Sequence, residues 1–332
     1  MPNKKIALVT GGAGFIGSHL VEILVNKNFE VRVVDDLSGG RMSNLDSVKN
    51  NNNLKFEKKN ILSFGENEKI FKDVNYVFHL AGRGDIVPSI EKPLEYFKIN
   101  NLGTIKVLEN CRDRKTLKKV VYAASSSCYG VAKTPTCENS QIDNKYPYAL
   151  SKYFGEQSVL HWGKVYKIPV NSIRIFNAYG PRVKTTGAYG AVFGVFLKQR
   201  LEGKKLTIIG DGKQKRDFLY VTDVAKAFVK VALSKYKGEV YNLGAGNPVS
   251  VNYLAKLIGG GIDYIPKRPG EPDITWANIK KIKTHTGWKP NTSFEEGVKF
   301  MLSNIHEWKT APLWNKTKIS KATVSWFKYL KN

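Results

Sequence analysis

The chain has 332 residues, 42% of them hydrophobic, and carries 53 Lys and Arg against 28 Asp and Glu, a formal net charge of +25. That length suits one large α/β domain with a smaller partner lobe, and the hydrophobic share excludes a disordered chain. No apolar run approaches the roughly 20 residues that cross a bilayer, and MPNKK runs into a strand without the apolar stretch of a signal peptide, so a cytoplasmic protein is expected.

Three cysteines, Cys111, Cys128 and Cys137, are too few and too irregular for a disulfide framework or a zinc site, and no metal is expected. The positive charge admits nucleic acid, an anionic membrane surface or a polyanionic substrate. Its lysines are spread along the chain, however, with local clusters at 112–119, 213–216 and 280–283. No basic stripe is interleaved with aromatics as a stacking platform for RNA requires, so neither nucleic acid nor membrane is expected as a partner. A phosphate-bearing small substrate fits the same charge.

The first half alternates short apolar runs with helix-like stretches. KIALVT (5–10), EVRVVD (30–35), NYVFHLAG (75–82) and KKVVYAAS (118–125) are rich in β-branched residues and bounded by Gly, Asp or Ser. Continuous apolar strands separated by helices predict a Rossmann-type, doubly wound α/β fold with a parallel sheet, which NSIRIF (171–176) extends. Directly after the first strand, Gly11, Gly14 and Gly17 stand at the spacing GxxGxxG where a helix opens. Such a turn lets backbone N–H groups and a helix N-terminus approach a pyrophosphate. Asp35 ends the next strand, followed by Asp36, and an acid there accepts hydrogen bonds from ribose hydroxyls and repels a 2′-phosphate. NAD is therefore expected rather than NADP, with Arg41 the one residue that argues the other way.

Two tyrosine–lysine pairs share a four-residue spacing. Tyr129 is followed at once by Gly130, and Lys133 soon after by Pro135, a loop in which the spacing brings nothing together, whereas Tyr148 and Lys152 lie in PYALSKYFGEQSVL, where Pro147 suits a helix start. Tyr148 and Lys152 thus share one helix face. Past residue 177, Gly- and Pro-rich loops separate shorter elements, which predicts a dinucleotide-binding domain over 1–176 and a substrate lobe over 177–332, with later segments free to return to the first. The stretch 319–330 reads as one helix with Ile319, Thr323, Trp326, Phe327 and Leu330 on one face.

TGGAGFIG, DDLSGG, HLAG, SSSCYG, YALSK, RIFNAYGPR, RDFLYVTDVA, NLGAG and RPGEPD follow one another as in extended short-chain dehydrogenases/reductases. The chain resembles the nucleotide-sugar epimerase/dehydratase branch of that family to about residue 290. The resemblance implies NAD as cofactor and Ser125, Tyr148 and Lys152 as the catalytic set. It implies a cofactor site of Gly11, Gly14, Phe15, Ile16, Gly17, Asp35, Asp36, Asn60, Ile61, Leu80, Ala81, Gly82, Asn100 and Ile175, together with Tyr148 and Lys152. It places Ser126, Ser127, Asn177, Arg216, Arg268 and Thr275 at the substrate, with Asn177 and the two arginines on the diphosphate. A homodimer through the helices around 91–113 and 146–166 is implied by the same likeness alone.

Within that branch, 4,6-dehydratases follow the catalytic Ser or Thr with Asp and Glu, and decarboxylases carry a nearby Glu. Here Ser126, Ser127 and Cys128 follow, none a general acid of suitable pKa, so C4 epimerisation of a UDP-hexose or UDP-N-acetylhexosamine is the expected reaction. Thr275 matches a position that is a bulky Tyr in hexose-restricted 4-epimerases, and its small side chain leaves room for a 2-acetamido group. A 4,6-dehydratase, a decarboxylase, an RNA-binding use of the fold and a catalytically silent NAD sensor are the alternatives.

Overall fold

The structure, a computed structural model, describes residues 4–183 and 192–330, so the second half of the loop NAYGPRVKTTGAYG lies outside the described residues. In chain order the first half runs β1 (Ile6–Thr10), α1 (Phe15–Asn26), β2 (Glu30–Asp35), β3 (Leu54–Lys58), β4 (Tyr76–His79), α2 (Ile86–Glu91), α3 (Pro93–Phe97), α4 (Thr104–Glu109), β5 (Lys119–Ser125), α5 (Pro147–Val165) and β6 (Val170–Ile175). The second half runs β7 (Asn177–Tyr179), α6 (Val192–Leu201), β8 (Leu206–Ile209), β9 (Lys215–Arg216), β10 (Phe218–Tyr220), α7 (Val221–Leu233), β11 (Glu239–Leu243), β12 (Val249–Ser250), α8 (Val251–Ile258), β13 (Ile262–Ile265), α9 (Lys280–Thr286), α10 (Phe294–Ser303), α11 (Lys316–Ala322) and α12 (Val324–Tyr329).

Seven parallel strands form the central sheet in the order β11-β6-β5-β4-β1-β2-β3, a Rossmann-type doubly wound arrangement. The continuous apolar runs follow from coverage on both faces. On one face α1 and α7 bury Leu20, Leu24, Val224 and Phe228; on the other lie Phe64, Phe71, Val107, Leu108 and Val159. The chain reverses its direction of travel across the sheet between β1 and β4, and a crevice opens there at the carboxyl ends of the strands. Parallel register sets Thr10 beside His79, and Ser125 beside Ile175. Residues far apart in sequence are thereby delivered to one edge of the crevice.

The second half is interleaved with the first. α7 packs under the central sheet and β11 extends it beside β6, while β7/β10, β8/β13 and β9/β12 form three two-stranded pairs around a separate core of Tyr179, Phe196, Leu206, Leu254, Met301 and Trp308. The expected single helix over 319–330 is instead two helices broken at Thr323, which has φ −105° and ψ 9°. The Thr323 hydroxyl donates back to the Ile319 carbonyl at 2.9 Å, a local bond that competes with helix continuation. Ile319, Thr323 and Trp326 still share the buried side. Among the described residues, no helix is long and apolar enough to cross a membrane.

Candidate active site

The turn after β1 is packed so closely that glycine is required at two places. Gly11 sits at φ +71°, and a Cβ there would lie 2.6 Å from the Ala81 backbone nitrogen; a Cβ on Gly17 would lie 2.1 Å from the Gly11 carbonyl oxygen. Gly14 precedes α1 as its N-cap and offers no side-chain cap, and the first turn holds no acidic residue. Its opening N–H groups are therefore available to a pyrophosphate, and Phe15 and Ile16 line the adjoining cavity. This cradle fits a dinucleotide.

Asp35 is 7% exposed and accepts the Ala13 and Leu37 N–H groups at 3.0 and 2.8 Å. Burial raises its carboxyl above the usual range, those two N–H donors acting the other way. Each carboxylate oxygen accepts two bonds, so capacity remains for a ribose. Asp36 accepts the Asn60 amide at 2.7 Å and Ser38, which fixes the far rim. Ile61 turns its side chain into the core, where it closes on Gly103. Asn100, wholly buried in a π-turn over Lys98–Gly103, accepts the Arg83 N–H at 2.8 Å and donates to the Arg83 carbonyl and the Ser151 hydroxyl at 3.0 Å. It braces the loop carrying Gly82 against α5. Leu80 and Ala81 run on from β4 beside Thr10, to which both donate.

α5 carries the second group. Pro147 occupies its first turn, and the Tyr148 N–H donates to the Ser89 hydroxyl at 3.1 Å, fixing where the helix begins. Tyr148 and Lys152 line one cavity with Ser125, which ends β5. Burial raises the Tyr148 phenol above its ordinary value, a hydrogen bond from Ser125 opposes that, and the Asp85 charge adds to it. The Lys152 ammonium lies 4.3 Å over the Tyr122 ring; burial pushes it down to about 7, with Glu156 acting the other way. Behind the pair, Glu156 and Arg174 form a buried fork with contacts of 2.6 to 3.1 Å, joined by Ser172. Tyr129, 3% exposed, accepts from Arg174 and donates to Asn242, each at 2.7 Å. It belongs to that network and not to the cavity.

The cavity extends over about 650 Å³ towards the second lobe, past Ser126, Ser127, Ile175, Asn177, Arg216, Arg268 and Thr275. The Thr275 hydroxyl donates to Asn177 Oδ1 at 2.9 Å, so these two act as one unit. Glu271 stands between the arginines, 3.7 Å from Arg216 and 3.4 Å from Arg268. Two guanidiniums converging on one carboxylate have the geometry that holds a diphosphate. Sequence reasoning missed Tyr146, Asp85, Glu271 and Trp326, which share this cavity. YPY offered a signal for Tyr146, but nothing local pointed to Trp326.

The chain is similar to known proteins over most of its length. The profile of the family described as GDP-mannose 4,6 dehydratase matches residues 8–301. A putative UDP-glucose 4-epimerase of Methanocaldococcus jannaschii is 39% identical over 88% of this chain and 95% of its own length. A UDP-N-acetylglucosamine 4-epimerase from Methanobrevibacter ruminantium, solved with UDP-N-acetylmuramic acid, superposes with a TM-score of 0.84 at 33% identity, covering 91% of this chain and 99% of that one. A UDP-glucuronic acid 4-epimerase from Bacillus cereus, solved with UDP-glucuronic acid and NAD, gives 0.85 at 31% identity over the same shares. The chain therefore belongs to the extended short-chain dehydrogenase/reductase family, in its branch of nucleotide-sugar epimerases and dehydratases.

Proposed function

We propose that this chain is an NAD-dependent C4 epimerase of a UDP-hexose or UDP-N-acetylhexosamine. One observation carries the reading: Ser125, Tyr148 and Lys152 share a cavity with Arg216 and Arg268, and the turn after Ser125 supplies no carboxylate. The epimerases among its relatives support it.

Bound NAD would supply a hydride acceptor and return the same hydride, with Gly11, Gly14, Gly17 and the start of α1 on its pyrophosphate, Asp35 on a ribose, and Lys152 on the nicotinamide ribose. Tyr148 takes the proton of the sugar C4 hydroxyl at its phenol oxygen as the C4 hydrogen leaves as hydride, giving a 4-keto sugar. Ser125 hydrogen-bonds the reacting oxygen. The resting phenol is held protonated by burial, so positive charge arriving beside it is needed to bring its pKa towards neutrality. Arg216 and Arg268 hold the diphosphate while the keto sugar turns its other face, and Tyr148 then gives the proton back.

Elimination of water needs an acid where Ser126, Ser127 and Cys128 stand. Burial pushes the Cys128 thiol up to about 12, so it cannot fill that place. Among the described residues the carboxylates lining the cavity are Asp85 and Glu271; Asp85 opens α2, and Glu271 is engaged by the arginines. Thr275 leaves room beside the sugar for an acetamido group. The test is proton NMR of the purified protein with UDP-N-acetylglucosamine and no added NAD. Growth of the N-acetylgalactosamine anomeric signal to a stable ratio is expected; a 4-keto-6-deoxy product would overturn the reading in favour of a dehydratase.

The same reading makes the chain a homodimer. Leu94, Leu102 and Phe154 are exposed on α3, the π-turn and α5, the helices expected to pair. Light scattering of a monomer at micromolar concentration would remove this part.

A further inference from the structure

The match to the family ends at residue 301, yet the chain continues to the edge of the substrate cavity. There α12 presents Trp326, 2% exposed, and three contacts radiate from its ring. The Arg268 guanidinium stacks on it at 5.2 Å, the indole N–H donates to the Pro269 carbonyl at 2.8 Å, and the Tyr146 ring packs at 5.8 Å. Tyr146 in turn lies parallel to Tyr148, 6.4 Å between centroids and 5° between planes. A further tie runs to the other lobe, where the Ser325 hydroxyl donates to Glu91 of α2 at 3.2 Å.

We infer that α12 completes the substrate site, with Trp326 as the positioning residue that aims Arg268 at the nucleotide-sugar diphosphate and backs Tyr146 against the sugar. This rests on the reading of the cavity as a nucleotide-sugar pocket. Arginine on a flexible loop loses side-chain freedom when it grips a phosphate, and a ring that already holds the guanidinium flat removes part of that cost before the ligand arrives. The loop residues Arg268 and Pro269 both attach to the same indole, so one side chain fixes the backbone and the charged head together. The short helix is held in turn between this loop and α2.

The experiment is calorimetric titration of the full-length, NAD-containing protein with UDP. Trp326→Leu keeps apolar bulk but offers no ring face or N–H; it is expected to weaken UDP binding about tenfold, whereas Trp326→Phe, which restores a ring face, returns it to within about threefold of the wild type. Arg268→Ala weakens UDP by itself and is expected to add little in the Trp326→Leu background, which a merely structural role for the tryptophan would not produce. Wild-type affinity in Trp326→Leu, or effects of the two substitutions that simply multiply, overturns the inference and leaves the proposed activity standing. A wild-type chain that binds no UDP overturns the reading of the pocket and this inference with it.

Discussion

The two sides of the cavity are built on different principles. On the cofactor side, Gly11, Asp35, Leu80 and Ser125 stand on or directly after neighbouring strands of one sheet, so the ladder fixes their spacing, and Gly14 and Gly17 follow from Gly11 into the start of α1. On the substrate side, Asn177, Arg216, Arg268, Thr275 and Trp326 arrive on separate loops, short strand pairs and a six-residue helix. A sheet edge constrains position through backbone hydrogen bonds, whereas the loop side must be aimed by contacts between side chains. Glu271 between two arginines, Thr275 on Asn177 and Trp326 under Arg268 are those contacts. The difference teaches that the invariable part of the ligand can meet a fixed frame while the variable part meets an adjustable one.

Substitutions can break this contrast or sharpen it. The largest effect falls where the two sides meet: Tyr148→Phe is expected to lower kcat by about 10²- to 10⁴-fold with NAD still bound, measured by coupled assay and by the cofactor absorbance of the purified protein. Glu156→Gln attacks the frame and also removes the charge that supports the Lys152 ammonium. It leaves Arg174 buried without its charge partner, and urea unfolding should show a loss of about 3–5 kcal/mol, far more than any substitution in the arginine loop. The smallest effect comes from Asp85, which opens α2 beside the pair. Burial contributes most to the raised Tyr148 phenol and the negative Asp85 adds to it, so Asp85→Asn lowers that pKa. Phenolate then forms at lower pH, and the acid limb of kcat/KM should move to lower pH, a gain of no more than about tenfold at any one pH below the midpoint. Movement of the limb towards higher pH would show that Asp85 does not act on the phenol through its charge.

The frame was legible because its signals are local. A glycine triplet between an apolar strand and a helix, an acid ending the next strand, and Pro147 before Tyr148 each lie within a few residues of one another. Tyr129 could be set apart from Tyr148 by the same reasoning, and its bonds to Arg174 and Asn242 show what it does instead. β11 was not legible as a sheet strand, since EVYNL is short and partly polar; its place follows from pairing with β6. Lys152 shows a subtler gap. Its spacing from Tyr148 was readable, but the burial that holds its ammonium near neutrality is a property of the assembled fold. Trp326 lay hidden for the same reason, because nothing near it in sequence reveals that Arg268 and Tyr146 converge on its ring.

The position of Trp326 also sets an order of events during synthesis. A nascent chain that has emerged through β11 already owns every strand of the central sheet and both halves of the Tyr148–Lys152 pair. Once Ala277, Ile279, Ile282 and Trp288 have joined the core on the α1–α7 face, that frame can fold and take up a dinucleotide while α12, which steadies Arg268, is still unmade. Cofactor capture can therefore precede completion of the sugar pocket, and a chain interrupted before α12 would carry a loaded frame with an unaimed arginine.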